Sequence, residues 1–323
     1  MMKRRQIITR AGALAASALA GPALAQPERL LKLLVGFPAG GSIDVVSRIV
    51  AEKLGEELKR TVIIDNRTGA GGRLAADLLK AAPPDGGTMM ITPIVVPVLA
   101  PMVFTKLNYE PRRDFAPVVR LCDFAFGLAV SPQTPARTLQ EYVSWIKANP
   151  QNASFGSPAA GSLPHFFGEM IGSALGVNMI HVPFNGGAAL QSAVLGNHVP
   201  AGIDVVMEWE QNARAGKVRM LATSGEARSP VMSEVPSFKE QGYPNIVGKG
   251  WFAMYAPART PSAAIGQVNA AVNKVLLRPD VRERFAALGL DVGGGSPADL
   301  QRTMQEDTLR WEPIVKKTGF KVS

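Results

Sequence analysis

Four times along this chain an apolar run ends in a turn rich in Gly or Ser and reopens as a helix-like segment. The sharpest case spans Leu31–Leu58, where LKLLVGF meets PAGGSID and then VVSRIVAEKLGEEL. The others are Val62–Ala82, Ala153–Leu175 and Met179–Gly196. Each reads as strand, tight turn and helix start. Alternating strands and helices of this kind, continuing to about Ala222, predict parallel α/β layers. A helix start leaves backbone N–H groups unpaired at the positive end of the helix dipole, which makes it a natural anion site. Two such junctions in each half of the chain imply a small anion held between two lobes.

The N-terminus is set apart from this pattern. Lys3, Arg4, Arg5 and Arg10 precede the short apolar stretch Ala11–Ala20, and Ala23-Leu24-Ala25 has the form of an export cleavage site. The apolar stretch is too short to cross a bilayer, so residues 1–25 read as a cleaved export signal. The Arg4-Arg5 pair admits twin-arginine export, with the general secretory route favoured. Cleavage leaves about 298 residues, enough for two ordinary domains, and removes four of the nine net positive charges. No later segment offers 18 uninterrupted apolar residues, so no membrane-spanning helix is expected. The remaining Lys and Arg are interleaved with acids and lack an aromatic-lined basic face, which argues against nucleic acid as a partner. Cys122, the only cysteine, sits in the apolar run LCDFAF and reads as a buried small hydrophobe.

Beyond Thr260 the chain reads as helices opened at Thr260-Pro261, Arg278-Pro279-Asp280 and Ser296-Pro297-Ala298-Asp299. Such a terminal helical block is expected to return to the first domain. Lobe 1 is therefore expected at 26–125 plus 251–323, with lobe 2 inserted at 126–250. FAFGLAVS and GWFAMYAP are the candidate crossing strands. Thr138-x-x-Glu141 is a capping box opening a helix that Asn149-Pro150 ends.

Tests for chemistry return little. In Asn66–Gly72 a dinucleotide fingerprint would need Gly where Leu74 stands. That turn is read as strand–helix packing. Ser157 and Ser162 lack the G-x-S-x-G frame of a nucleophile elbow. An exported hydrolase using either serine with one of the three histidines (His165, His181, His198) is the alternative from a different class. His165 and Glu169 are four apart but have no companion metal ligands, so no metal is expected, and no cofactor. The turn Gly36–Asp44 is the strongest candidate site, because paired glycines let a ligand approach the backbone. Asp204, at the end of an apolar run, is placed near the cleft edge.

These segments resemble, over nearly the whole mature chain, the Bug-type periplasmic solute receptors of tripartite tricarboxylate transporters. The residues that carry the resemblance are Gly40-Gly41-Ser42-Ile43-Asp44, Asn66-Arg67-Thr68-Gly69-Ala70-Gly71-Gly72, Pro84-Asp85-Gly86 and Gly161-Ser162-x-x-His165. They continue with Val182-Pro183-Phe184-Asn185-Gly186, Ala215–Arg219, Arg228-Ser229-Pro230, Val235-Pro236, Trp251-Phe252 and Ala256-Pro257. The resemblance implies a two-lobed α/β binding protein of the type II kind, each lobe a mainly parallel sheet flanked by helices, joined by crossing strands. It implies a small organic carboxylate as ligand and membrane permease subunits as partners. The protein would be periplasmic, monomeric and not an enzyme. A sensor that docks on a membrane kinase is a further alternative.

Carried over residue by residue, the implied ligand contacts in the first lobe are Phe37, Pro38, Ala39, Gly40, Gly41, Ser42 and Asp44. In the second lobe they are Ser157, Ala160, Gly161, Ser162 and His165. Pro183, Phe184, Asn185, Gly186 and Gly187, with Asp204, would complete the pocket. The chain departs from the family's usual pattern at Gly36 (usually Pro), Asn185 (usually Lys or Arg) and Pro200 (commonly Asp). The last two bear on the part of the ligand beyond its carboxylate.

Overall fold

The computed structural model describes residues 30–322. The expected export signal lies outside them. The first lobe opens with β1 (Leu31–Val35), α1 (Ser42–Leu58), β2 (Val62–Asn66), α2 (Arg73–Ala81) and β3 (Thr88–Pro93). The long strand β4 (Phe115–Val130) then leads into α3 (Leu139–Ala148), β5 (Ser154–Ser157), α4 (Leu163–Leu175), β6 (Ile180–Pro183) and α5 (Gly187–Leu195). After these come β7 (Ala201–Val205), α6 (Val206–Arg214), β8 (Arg219–Thr223) and β9 (Lys249–Pro257). The chain ends with α7 (Ser262–Leu277), α8 (Pro279–Ala287), β10 (Asp291–Gly294) and α9 (Pro297–Thr318).

The strands run in the order β2-β1-β3-β9-β4-β7-β5-β6, with β8 and β10 also paired to β4. The two outer regions, β2-β1-β3 and β6-β5-β7, are parallel, and the centre is antiparallel. Strand β4 belongs to both lobes. From Phe115 to Ala125 it pairs with β9, and from Phe126 to Val130 it pairs with β7 and β8. The chain returns through Ser224–Gly248, where Ser224 is bonded to both Phe126 and Gly248. Thus FAFGLAVS crosses between lobes within β4, whereas GWFAMYAP lies wholly in the first, just after the return.

Periodicity explains why α1 docks where it does. Val46, Ile49, Val50 and Leu54 recur on one face and are all buried against the sheet, each contributing about 1.5–3 kcal/mol of gross apolar burial. Val45, on the flank of that face, is half-buried and borders the interlobe cavity. Helix α3 starts as expected at Thr138, whose side chain accepts from Glu141 N–H at 3.1 Å. The Glu141 carboxylate, however, reaches Arg137 N–H rather than completing the box at Thr138. The full capping box forms instead at α9, between Ser296 and Asp299. At the opening expected at Thr260-Pro261, Pro261 itself is the N-cap and α7 begins at Ser262. Cys122 is fully buried in β4, and burial, the leading cause, pushes its thiol pKa far up. Among the described residues no helix is long and apolar enough to cross a membrane.

Candidate functional site

Three of the four strand–turn–helix junctions and the β7–α6 junction border one cavity of about 570 Å³ between the lobes. At the first, β1 delivers Phe37 to the cleft edge and α1 begins at Ser42 behind its N-cap Gly41. Glycine at the cap supplies no side chain to satisfy the first N–H groups of the helix. The turn is held from behind. Gly40 has φ +87°, a conformation that glycine tolerates best, and its N–H donates to Asp44 Oδ2 at 2.9 Å. Asp44 also accepts from Arg48 Nε (2.8 Å) and from Asn66 Nδ2 (2.9 Å), and Asn66 Nδ2 donates further to the Phe37 carbonyl. Burial alone would raise the Asp44 pKa, but Arg48, the Gly40 N–H and Asn66 outweigh it and hold the carboxyl below its usual range. Asp44 does not line the cavity.

The second junction supports the first without joining it. A Cβ on Gly36 would lie 2.6 Å from Gly72 Cα, so the two glycine turns sit backbone against backbone. Gly69–Gly72 does not border the cavity.

In the second lobe the hydroxyls and imidazoles also serve the backbone. Ser157 Oγ donates to the Ala159 carbonyl (3.0 Å) and lies 2.7 Å from His181 Nε2; Ser162 Oγ donates to the same carbonyl at 2.7 Å. Gly161 N–H donates to His165 Nδ1 at 3.1 Å. His165 stacks on His181 with centroids 3.7 Å apart, and burial first, then His165, pushes the His181 pKa down to about 3. The Ser157–His181 pair has the distance of a catalytic dyad but not its setting. Ser157 is fully buried, and neither residue lines the cavity.

The fourth turn is stitched to the third by Phe184 N–H to the Ser157 carbonyl and Gly186 N–H to the Pro158 carbonyl, each 2.9 Å. Gly186 is the N-cap of α5, again with no capping side chain. A Cβ there would lie 3.4 Å from Pro38, so the turns of the two lobes face each other closely.

Of the residues expected at the ligand, the cavity collects Phe37, Pro38, Ala39, Gly40, Gly41, Ser42, Ser162, Gly186, Gly187 and Asp204. It does not collect Asp44, Ser157, Ala160, Gly161, His165, Pro183, Phe184 or Asn185. Pro183 and Asn185 are exposed, and most of the others are engaged in the turns as described.

Sequence reading missed Glu208. It projects from the first turn of α6 and accepts the Ser42 N–H at 2.5 Å, bridging the lobes. Gln191 Nε2 donates to its other oxygen at 3.2 Å, and Asn212 in turn holds Gln191. Asp204 is buried beside it: Oδ1 accepts from Val205 N–H, while Oδ2 has no hydrogen-bond partner among the described residues. Burial, with Glu208 adding, drives the Asp204 pKa well above the ordinary carboxylate range. A Cβ on Gly187 would lie 2.9 Å from Asp204 Oδ2 and 3.1 Å from Glu208 Oε2, so only glycine admits both carboxyls there. The only sequence signal for Glu208 is its place four residues after Asp204, in the first turn of the helix that follows β7. Phe124, Phe126 and Phe252 form the apolar floor, with Phe124 and Phe252 centroids 4.4 Å apart.

A two-lobed fold whose uncapped helix starts converge on a cleft can bind a small polar solute. A family model described as the tripartite tricarboxylate transporter family receptor matches residues 46–320. The chain belongs to that family. The receptor is similar to a UPF0065 protein of Cupriavidus necator, 33% identical over 99% of each chain. Among solved structures it is similar to an R. palustris protein with adipate (29% identical, TM-score 0.88, covering 92% of this chain and 99% of that one). It is likewise similar to MatC from Rhodopseudomonas palustris with bound malate (31% identical, TM-score 0.84, covering 90% and 99%). The receptor thus has the architecture of a periplasmic binding protein, and its family is one of solute receptors rather than enzymes.

Proposed function

We propose that this receptor captures a small organic carboxylate between its lobes and delivers it to the permease subunits of a tripartite tricarboxylate-type transporter. The observation that carries the reading is the pair of glycine-capped helix starts, α1 and α5, facing one cavity from opposite lobes. Their N–H groups offer a carboxylate hydrogen bonds and the positive ends of two helix dipoles without an arginine. The adipate and malate bound by the two solved neighbours support the same ligand class.

In this reading the ligand selects the closed arrangement, because its contacts to both lobes exist only there. The lobes divide at 126 and 250, the protein acts as a periplasmic monomer, and residues 1–25 are removed on export. A thermal-shift screen of the mature protein tests the ligand class. A rise in melting temperature with one or more small carboxylates is expected. Stabilisation by sugars or cations alone contradicts the reading.

A further inference from the structure

The cleft holds two carboxyl groups of its own, and this bears on what the ligand must bring. Glu208 Oε1 sits 2.5 Å from Ser42 N–H, on the very helix start where an incoming anion is expected. Its other oxygen is fixed by Gln191 and lies, together with the unpartnered and buried Asp204 Oδ2, against Gly187 at the start of α5. No Lys, Arg or His stands among the described residues lining the cavity.

A ligand with two carboxylates would place its second charge near Glu208 with no lining cation to offset it. Like charges in a desolvated cleft repel strongly. An ammonium group meets the opposite circumstances: Glu208 attracts it, and its charge offsets the burial that holds Asp204 protonated, freeing the unpartnered Oδ2 to accept. The carboxylate of such a ligand takes the remaining N–H groups of α1 and α5, a few ångströms away. Around this polar point the walls are Phe37, Phe124, Phe126, Phe252, Val95 and Met207.

We infer that the ligand is a zwitterion, an apolar α-amino acid, and that Glu208 is the residue that selects it over dicarboxylates. The inference rests on the receptor reading above and narrows its ligand class.

Calorimetric titration of the mature protein tests it with three matched triplets, each amino acid tried as both enantiomers. They are alanine, propionate and methylmalonate; leucine, 4-methylpentanoate and isobutylmalonate; phenylalanine, 3-phenylpropionate and benzylmalonate. Within a triplet only the group on the α-carbon changes, from ammonium to hydrogen to carboxylate.

In the triplet that fits best, the amino acid is expected to bind at least about tenfold more tightly than the monocarboxylate, and the malonate not at all. Glu208→Gln, which keeps an oxygen for Ser42 N–H, is expected to cut the amino acid's advantage about tenfold and admit the malonate. Its melting curve verifies the fold, and the wild-type ranking stands as a test without any variant. A wild-type protein that prefers a monocarboxylate or malonate overturns the inference. So does a preference unchanged in Glu208→Gln, or no binding by any amino acid. Binding of other carboxylates in the wider screen then leaves the receptor reading intact, whereas binding of sugars or cations alone removes both.

Discussion

The two lobes hold their cavity-facing turns with the same device built from different chemistry. In lobe 1, Gly40 at φ +87° donates its N–H to the side chain four residues on, Asp44. In lobe 2, Gly161 at φ +69° donates to the side chain four residues on, His165. One clamp is a carboxylate tied to Arg48 and Asn66; the other is an imidazole stacked on a second imidazole. The caps differ too. Gly41 gives the start of α1 no side-chain cap, leaving its first N–H to Glu208 across the cavity, while Ser162, at the same place in α4, turns its hydroxyl back to the Ala159 carbonyl. The polar side chains of these motifs shape the backbone, and the backbone of the turns faces the cavity.

The largest expected effect comes from filling the open cap. A Cβ on Gly41 would sit 3.6 Å from Glu208 Oε1 in an ordinary extended conformation, so a side chain fits the fold but extends between Glu208 and α1. Gly41→Val is expected to weaken carboxylate binding by about 100-fold or more, with a melting temperature within a few degrees of wild type. Near-wild-type affinity by calorimetry would remove this turn from the site.

Next come the clamps. Asp44→Ala leaves the Gly40 N–H and the Arg48 and Asn66 donors without their shared acceptor, and is expected to cost about 2 kcal/mol in urea unfolding. Asp44→Asn, which keeps one acceptor, should cost about half of that. Equal losses in the two variants would contradict the ionic character of the lobe 1 clamp.

A smaller effect separates packing from binding. Gly36→Ala forces a Cβ against the Gly72 backbone and is expected to destabilise by about 1–3 kcal/mol, measured by denaturant midpoint. If the refolded variant loses ligand affinity as completely as Gly41→Val, the Gly69–Gly72 turn is more than support.

The smallest is a pH effect in lobe 2. His181 is held neutral down to about pH 3, against 6.5 when unconstrained. Between those values the unfolded chain binds a proton that the native state refuses, so stability falls as pH drops from 6.5 towards 3. Relative to His181→Gln, which retains a hydrogen-bonding partner for Ser157, the wild type should lose about 1 kcal/mol by pH 5, allowing for partial exposure. Parallel pH profiles for the two proteins would assign that loss elsewhere.

What the sequence showed of this architecture follows from the range of its signals. Periodicity and glycine placement are local, and they located α1, the four turns and the crossing strand at Phe124–Ser131. The direction in which a polar side chain points is set by contacts distant in sequence. Ser157 meets His181 24 residues later, and Ser42 meets Glu208 166 residues later. For that reason Ser157 was expected at the cavity, which it does not line, while Glu208, which accepts the Ser42 N–H, drew no notice.

The central claim is that backbone N–H groups at two facing helix starts hold the ligand carboxylate. A crystal structure of the mature protein with the carboxylate that stabilises it most tests this directly. The account predicts carboxylate oxygens about 2.7–3.1 Å from N–H groups at the starts of α1 and α5, with Glu208 beside them. A carboxylate seated away from both helix starts would contradict it.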